Sequence, residues 1–341
     1  MYKLKSETSE IEGVLRFKID IPFDVKFVCL YLFEIGEKKV LIDAGLHFID
    51  WIKIFIDELK KKNLALEDID YCFVTHEHLD HVGLIKKIKR ANPKAQILMH
   101  DITDRNIKWM ADRNNDKEIK NSALKIAEEM KTYGINDYYG KRVTQYFTTW
   151  PKLYRYQEPD VVLHDGDEIE IGNNKLKIIW TPGHALGHIC IFDPQKKFLY
   201  SGDHILSRIT PHIGIFNVSP KIRETHDFDN ILALYLQSLD KIDKFNPKII
   251  FPAHQDVIYT PHERINAIKA HHEARLQEIS DMIEDNPMTP FKISQIHFGE
   301  DLDEMNMYLA LNEVLSHLIY LEHQNKVKRK EVDGNFLFYT N

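Results

Sequence analysis

The sequence predicts an α/β fold followed by a smaller, mainly helical domain. Short runs of apolar and β-branched residues recur between residues 27 and 251, separated by turn residues and alternating with amphipathic helical patterns. From residue 261 the hydrophobic periodicity becomes helical and ends in one short hairpin pattern. The 341 residues, of which 43% are hydrophobic, suffice for one domain of about 250 residues and a smaller one.

The first half of the chain carries strand patterns on either side of a helical pattern. Residues 27–33 and 39–43 are apolar and are separated by EIGEK, which predicts a hairpin. Residues 70–75 and 96–100 predict two further strands. Between these two, VGLIKKIKRANP shows helical spacing and ends at a proline, which predicts an amphipathic helix. The predicted order is therefore strand, loop, helix, strand.

The second half of the chain repeats this pattern, with turn residues between its strands. Two mixed halves predict two sheets packed face to face with helices outside, a four-layered αββα sandwich over residues 1–260. The elements predicted in this half are strands at 167–171, 175–180, 188–193 and 198–201, a helix at 228–245 and a strand at 248–251.

A stretch at about residues 101–160 interrupts the strand patterns. It contains a helical run at 116–133, followed by a segment rich in Tyr, Phe and Trp. We interpret this stretch as an insertion that forms a cap over a substrate pocket. The alternative is that its aromatic side chains serve ordinary packing.

The C-terminal segment, residues 261–341, predicts a separate small domain. Helical patterns occur at 262–284, 292–297 and 306–325, and KVKRKEVDGNFLFYT predicts a hairpin that turns at Asp333-Gly334. Three helices that end in a two-stranded hairpin are the outline of a winged-helix-like domain.

Composition restricts the classes of partner and the compartment. The 45 basic and 52 acidic residues give a net charge of −7, so global charge does not attract the chain to nucleic acid or to an anionic membrane. The sequence has no signal-peptide pattern and no apolar run of about 18 residues, which predicts a cytoplasmic protein. Cys29, Cys72 and Cys190 have no CxxC spacing and are predicted to be buried, reduced thiols.

The run THEHLDHVG is the strongest chemical signal in the sequence. His76, His78, Asp80 and His81 directly follow the apolar strand pattern YCFV. Because residues two apart point the same way in extended backbone, His76 and His78 can bind one metal ion, while Asp80 and His81 face a second. Imidazoles with a carboxylate suit zinc, and also iron or manganese.

Three later strand patterns also end in residues that can bind a metal. His184 follows Thr181-Pro182-Gly183 and would add a third nitrogen to the first metal ion. Asp203 in SGDH can bridge two cations about 3.5–4 Å apart, the spacing that two-metal hydrolases use. His254 in FPAHQD is the fourth example of the same placement. The recurrence predicts a two-metal centre.

Together, LIDAG, HxHxDH, PGH, GD and the late AH resemble the five motifs of the metallo-β-lactamase superfamily, over roughly residues 10–260. The resemblance implies the αββα sandwich and a catalytic centre of two divalent ions, zinc before iron or manganese. It places one metal ion on His76, His78 and His184, the other on Asp80, His81 and His254, and Asp203 as a bridge between the two. It also implies that Asp43 of LIDAG orients a metal-binding imidazole without itself contacting the metal.

Four further histidines lie outside the predicted set of metal ligands. His204, directly after Asp203, is expected either to touch substrate or to pack behind the metals. His188 is interpreted as an orienting or core histidine, because the ligand positions are already filled. His271 and His272, on the long C-terminal helix, are interpreted as structural.

The predicted reaction is hydrolysis by a hydroxide that bridges the two metals, with Asp80 as a proton shuttle and Asp203 as the bridging carboxylate. The first hypothesis is a small-molecule esterase or thioesterase. The stretch SGDHILSRITPHIG favours it, because it resembles the hydroxyacylglutathione-hydrolase-like branch of the superfamily.

The second hypothesis is a phosphodiesterase or endoribonuclease acting on RNA, because the winged-helix-like tail resembles a branch that includes an endoribonuclease. The third is a non-hydrolytic di-metal redox or sensor protein.

The charge of the tail bears on these alternatives. Residues 262–341 hold eight lysines and arginines against fourteen aspartates and glutamates, so affinity for a phosphate backbone is expected to be low outside KVKRK. We therefore expect a small-molecule substrate rather than nucleic acid, no membrane partner, and a tail that packs on the hydrolase domain or forms a homodimer contact.

Overall fold

The computed structural model describes residues 4–214 and 218–341. The chain forms two compact units that interleave along the sequence. The first, which we call the sheet unit, comprises Tyr154–Pro211, Ser238–Ile265 and the chain up to Lys108. The second, the helical unit, comprises Trp109–Leu153, Asn266–Asn341 and the described part of His212–Gln237. The division at residue 260 and the winged-helix-like character of the tail stay predictions.

The first sheet of the sheet unit has seven strands in sequence order, β1 to β7. Its first four strands pair antiparallel, whereas β4 to β7 are parallel to one another. The strands are β1 (Ser6–Ile11), β2 (Val14–Asp20), β3 (Phe27–Ile35), β4 (Lys38–Ile42), β5 (Tyr71–Val74), β6 (Gln96–His100) and β7 (Val161–Leu163).

The second sheet of the same unit has five strands in the order β12-β11-β10-β9-β8. Only β11 and β12 are parallel neighbours in it, and the other pairs are antiparallel. The strands are β8 (Glu168–Ile171), β9 (Asn174–Trp180), β10 (Ile189–Asp193), β11 (Phe198–Gly202) and β12 (Ile249–Pro252).

Helices connect and flank these strands, and a further hairpin, β13 (Val327–Val332) with β14 (Asn335–Thr340), closes the chain. The α-helices of the described residues are α1 (Ile49–Lys61), α2 (Leu79–Val82), α3 (Ile85–Ala91), α4 (Asp101–Ala111), α5 (Asp116–Thr132), α6 (Asp137–Thr149), α7 (Pro220–Thr225), α8 (Ile231–Lys244), α9 (Pro261–Met282), α10 (Pro290–Phe298) and α11 (Glu304–His323).

The two large sheets face each other across one hydrophobic core. Phe33 of β3 stacks on Tyr200 of β11 with ring centroids 4.8 Å apart, and Tyr31 contacts Phe251 of β12 edge-on at 5.3 Å. Alternate residues of β3, β4, β9, β10, β11 and β12 enter the core, because successive side chains of a strand point to opposite faces. The buried residues of this core from the two sheets are Val14, Cys29, Tyr31, Phe33, Ile35, Val40, Ile42, Phe73, Leu98, Leu163, Ile171, Leu176, Ile178, Ile189, Ile191, Phe198, Tyr200, Ile249 and Phe251.

Helical segments cover the outer faces of the two sheets. Phe17 of β2 points away from the shared core and meets Phe55 of α1 edge-on at 5.3 Å. On the other sheet, Phe192 of β10 contacts Phe245, which directly follows α8, at 5.3 Å. The layers are therefore helix, sheet, sheet and helix, and the predicted α/β class is confirmed. The three cysteines lie buried and unpaired on strands, as predicted.

The helical unit has two hydrophobic clusters. One joins α5 and α6 to α11, through residues such as Met130, Val143 and Leu311. The other packs α9 and α10 against α11 and the terminal hairpin, with Phe338 fully buried. Asp333 and Gly334 have φ values of 49° and 78°, the pair of left-handed residues that a tight two-residue hairpin turn requires.

Several elements were not predicted. The hairpin of β1 and β2 was missed because its residues, SETSEI and VLRFKID, are largely polar or alternate with charges. The region 101–160 holds three α-helices, α4 to α6, where only one helical run was predicted. The segment predicted as one helix after THEHLD is divided into α2 and α3 at Gly83-Leu84. Among the described residues, no helix has both the length and the apolarity that crossing a membrane requires.

Two core tyrosines offer a matched test of this packing. The Tyr31 hydroxyl donates a 2.6 Å hydrogen bond to the carbonyl of Pro252, which precedes Ala253-His254. The equally buried Tyr200 hydroxyl has no hydrogen-bond partner in the part of the chain that the structure describes. We expect Tyr31→Phe to lower the free energy of unfolding by about 1–2 kcal/mol, because it leaves a buried carbonyl unsatisfied.

Tyr200→Phe removes only an unpaired hydroxyl and is expected to change stability by less than about 0.5 kcal/mol, or to raise it. Equilibrium urea denaturation of both variants beside the unsubstituted protein measures the difference. Equal losses in the two variants would show that the hydrogen bond to Pro252 does not contribute.

Candidate metal centre

The strand ends of the sheet unit bring metal-binding side chains to one place. His76 follows β5, Asp203 follows β11 and His254 follows β12, while His184 lies in the loop after β9. In both sheets, neighbouring parallel strands end on the same side, β4 with β5 and β11 with β12. Side chains just beyond these ends therefore converge, as ligand-binding residues do at the carboxyl ends of strands in other α/β folds.

One cluster contains three imidazoles and a carboxylate. His78 Nδ1 lies 3.0 Å from His76 Nε2 and 3.0 Å from His184 Nε2. His184 Nε2 is 3.3 Å from Asp203 Oδ2. Two ligands of a tetrahedral zinc ion, each about 2.0–2.1 Å from the metal, are about 3.3 Å apart. The spacing of these four side chains therefore suits one such ion.

A second cluster lies on the other side of Asp203. It consists of Asp80, His81 and His254. His254 Nε2 is 3.5 Å from Asp80 Oδ2 and 3.3 Å from Asp203 Oδ2. His81 Nε2 is 3.7 Å from one oxygen of each of these aspartates. Asp203 thus faces both clusters, which is the position a bridging carboxylate needs.

The remote nitrogens of two of these imidazoles are held by acceptors. His81 Nδ1 lies 2.8 Å from Asp43 Oδ2, and His254 Nδ1 lies 2.5 Å from the carbonyl oxygen of Phe27. Asp43 and the Phe27 carbonyl accept hydrogen bonds from these Nδ1–H groups, so Nε2 of each ring faces the cluster and presents its lone pair when the ring is neutral. The rings are therefore oriented as metal ligands before any ion binds.

Asp43 is itself fixed by the protein. Its carboxylate accepts hydrogen bonds from the backbone N–H of Thr75 at 2.8 Å and from the Thr75 hydroxyl at 2.9 Å. The backbone of its loop is also hydrogen-bonded to α2, since Ala44 N–H donates to the carbonyl of His81 at 2.7 Å. Asp43 has a φ of 64°, in the left-handed region that Asp and Asn accept most readily after Gly. The LIDAG loop therefore positions His81.

His188 supports the centre from behind. Its Nε2 accepts the backbone N–H of Asp203 at 3.1 Å, and its Nδ1 lies 2.8 Å from the Thr181 hydroxyl. Its ring also stacks on His76 at 5.0 Å. A Cβ on Gly202 would lie 2.7 Å from His188 Nε2, so glycine is required where the Asp203 loop passes this ring. The interpretation of His188 as an orienting histidine agrees with these contacts.

A contact network that the sequence gave no signal for joins the two histidine loops. Glu77 is 5% exposed and accepts a hydrogen bond from Asn106 Nδ2 at 3.1 Å. The Thr103 hydroxyl lies 3.5 Å from Glu77 and donates to the carbonyl of Gly187 at 3.0 Å. A Cβ on Gly187 would approach Thr103 to 2.4 Å. Helix α4 thus holds the loop of His76 and His78 against the loop of His184.

The electrostatics of the centre favour bound cations. Burial would lower the pKa of His81, but three nearby carboxylates outweigh burial and raise that pKa to about 10. Burial would raise the pKa of Asp203, but His254 and His81 hold it well below its usual range. Burial together with neighbouring imidazoles holds the pKa of His76 well below its ordinary value. His76 is therefore neutral, which is the form that binds metal.

Two buried polar atoms show what the residues lack. His81 Nε2 and Asp203 Oδ1 are buried and have no hydrogen-bond partner among residues 4–214 and 218–341. Leaving a buried polar atom without a partner costs about 1–3 kcal/mol, and more when the group is charged. The two atoms lie 3.7 Å apart at the second cluster, where a divalent ion would satisfy them. The residues therefore fit a binuclear metal site.

All seven residues predicted as ligands lie in these two clusters, and Asp43 lies behind His81. The other candidates lie elsewhere. His204 is fully buried, with its ring 5.7 Å from His188, so its place suits packing behind the metals better than contact with substrate. His271 and His272 belong to the helical unit. The role of each ligand residue in binding metal stays a prediction.

The sandwich and its paired His and Asp clusters define a metal-dependent hydrolase with a binuclear site. The family described as "Metallo-beta-lactamase superfamily" matches residues 25–254. This chain belongs to the metallo-β-lactamase superfamily. A second family, described as "Metallo-beta-lactamase-like, C-terminal domain", matches residues 276–341.

Two curated proteins illustrate the similarity. The probable metallo-hydrolase YqjP of Bacillus subtilis is 23% identical over 333 residues, which cover 96% of this chain and 98% of that protein. The human acyl-coenzyme A thioesterase MBLAC2 is 25% identical over 206 residues, which cover 54% of this chain and 64% of that protein.

Two crystal structures have the same fold at 23% sequence identity. A metallo-beta-lactamase family protein from Thermus thermophilus superimposes with a TM-score of 0.76, covering 97% of this chain and 99% of that one. A beta-lactamase domain protein from Burkholderia ambifaria gives a TM-score of 0.79, covering 98% and 94%.

The contact between Asp43 and His81 can be tested by a change of charge alone. Asn keeps the shape of Asp and accepts the left-handed backbone, so Asp43→Asn removes only the carboxylate that orients His81. We expect metal affinity to fall by about 10–100-fold, the usual effect of losing such a supporting group. Competition with a chromogenic chelator measures the affinity of each of the bound ions.

Asp333→Asn is the matched control, because Asp333 also has a positive φ but lies in an exposed turn. It should leave metal affinity unchanged. Unaltered metal binding in Asp43→Asn would contradict the orienting role of Asp43.

Proposed function

We propose that this metallo-hydrolase cleaves a small-molecule ester or thioester. The observation that favours an acyl substrate is an aromatic cavity of about 270 Å³ in the helical unit. An acyl group and its carrier need a largely apolar surface with few polar groups, as most small-molecule sites provide.

The cavity is formed mainly by the aromatic segment that the sequence marked as an insertion. Tyr146 and Trp150 stack at 5.1 Å, and Phe147 meets Tyr308 of α11 edge-on at 5.4 Å. Polar groups are confined to a few positions, chiefly an ion pair of 3.1 Å between Arg142 Nε and Glu304 Oε1. We propose that this surface binds acyl chains.

When two divalent ions are bound, they supply Lewis-acid activation of water and of the substrate carbonyl. The chain's own residues have separate tasks. His76, His78 and His184 hold one side of the centre, and the buried Asp203 carboxylate faces both sides. The Asp80 side chain is 10% exposed and faces His81 and His254. We propose that Asp80 carries a proton to the leaving group.

The similarity to MBLAC2 supports the same substrate class. That protein is named as an acyl-coenzyme A thioesterase, and its alignment with this chain spans 206 residues. At 25% identity the relationship does not determine a substrate, because one fold hosts many activities. It makes acyl thioesters the first group of compounds to assay.

The arrangement of the basic run disfavours the alternative of an RNA phosphodiesterase. Along strand β13, successive side chains point to opposite faces, so Lys328 and Lys330 are separated from Arg329. Arg329 is occupied by Glu322 at 3.3 Å and lies over the Phe336 ring. The run therefore does not form one continuous basic surface for a phosphate backbone.

A substrate panel tests the proposed function. The purified protein, loaded with Zn²⁺, is assayed with acyl-coenzyme A thioesters of increasing chain length, bis-p-nitrophenyl phosphate and a short single-stranded RNA. We expect thioester cleavage, and a fall in kcat/KM of at least about 100-fold in His76→Ala, because one imidazole ligand is lost. RNA cleavage without thioester cleavage would contradict the proposal.

Trp150→Ala tests whether the cavity binds acyl chains. If it does, calorimetric titration shows about ten-fold weaker binding of a long-chain acyl ligand to this variant, with little effect on short chains, because the substitution removes apolar contact area. Tyr259→Ala is the control, since Tyr259 is an aromatic residue that is 61% exposed in the sheet unit. An unchanged affinity in Trp150→Ala would mean that the cavity does not bind acyl chains.

A further inference from the structure

A second group of metal-binding side chains lies in the helical unit. His272 of α9 and Glu313 and His317 of α11 each present a ligand atom, and these atoms lie within 4.8 Å of one another. Both imidazoles are fully buried, and Glu313 is 9% exposed. Glu313 and His317 are four residues apart, so they lie on the same face of their helix, toward His272. The reaction proposed above uses none of the three.

The orientation of His317 is that of a metal ligand. Its Nδ1 lies 2.6 Å from the backbone carbonyl of Glu313, one turn earlier in the helix. His317 Nδ1–H therefore donates a hydrogen bond to that carbonyl, and the Nε2 lone pair points away from it. Metal-binding histidines commonly donate their second N–H to a backbone carbonyl in this way. The same hydrogen bond holds the ring in place.

The Nε2 lone pair of His317 faces a second ring nitrogen. His272 Nδ1 lies 3.0 Å from it, a separation close to that of two ligands on one tetrahedral ion, about 3.3 Å. In the metal-free form these two nitrogens share a proton in a hydrogen bond. His272 Nε2 is then buried with no hydrogen-bond partner in the described part of the chain. The histidine pair is thus not fully satisfied by the protein itself.

The Glu313 carboxylate is only partly neutralised by the protein before an ion binds. Arg275 Nη1 lies 3.8 Å from Glu313 Oε1, and Arg275 Nε lies 3.6 Å from Glu278 Oε2. Arg275 is therefore shared between two carboxylates and does not neutralise Glu313 alone. A divalent ion beside Glu313 would meet one carboxylate and two neutral rings, a donor set that zinc accepts.

We propose that His272, Glu313 and His317 form a third metal site, which binds one zinc-type divalent ion and is made of none of the residues of the binuclear centre. Such an ion would link α9 to α11, the two long helices of the helical unit. The site would therefore stabilise that unit. This inference does not depend on the substrate of the enzyme.

Metal counting in a centre-deficient protein tests the proposal. The triple variant His76→Ala, His81→Ala and His254→Ala removes ligands from both clusters of the binuclear centre. After incubation with Zn²⁺ and gel filtration, we expect elemental analysis to find about one zinc ion per chain in this variant. Adding His317→Gln should remove that ion, whereas adding His271→Gln, a change to the neighbouring exposed histidine, should not.

Thermal unfolding gives a second readout. Zn²⁺ should raise the melting temperature of the full-length centre-deficient protein, and His272→Asn or His317→Gln should abolish that rise, because only the folded state offers the site. The proposal is overturned if the folded centre-deficient protein holds no zinc, or if its zinc content is the same with and without His317→Gln. Neither result depends on hydrolytic activity, so failure here leaves the proposed function untouched.

Discussion

The binuclear centre depends on the burial of several carboxylates and imidazoles in one small volume. Asp80, His81, Asp203 and His254 lie within hydrogen-bonding or near-contact distance of one another, and each is 10% exposed or less in its side chain. Burial of charged groups is costly unless they are paired or bind a metal ion. Two bound cations would resolve this arrangement, because they would give His81 Nε2 and Asp203 Oδ1 the partners that the described residues do not supply.

The rest of the sheet unit serves to hold these groups in place. The shared core of the two sheets fixes the strand ends, and hydrogen bonds through Asp43 and His188 then orient His81 and Asp203. Close packing leaves room only for glycine at Gly202 and Gly187, where an added Cβ would meet His188 or Thr103. A centre built in this way is organised before metal or substrate arrives, which is what precise catalytic geometry requires.

The fold class and the seven candidate ligands that the structure brings into two clusters were predictable from the sequence, whereas some elements and contacts around them were not. Strand ends followed by His and Asp are a local signal, so every proposed ligand could be located from its neighbours in the chain. Glu77, Thr103 and Asn106 could not be, since their contact with the histidine loops arises only when α4 packs against them. The polar strands β1 and β2 were missed for a related reason, because their hydrophobic alternation is weak and they are stabilised by pairing with each other and, for β2, with β3.

Anomalous X-ray diffraction at the zinc absorption edge, on crystals grown with Zn²⁺, tests the central claim most directly. The account predicts two peaks about 3.5–4 Å apart in the sheet unit, one beside His76, His78 and His184 and the other beside Asp80, His81 and His254, with Asp203 touching both. A single peak at this place, or no peak between these side chains, would contradict the binuclear centre.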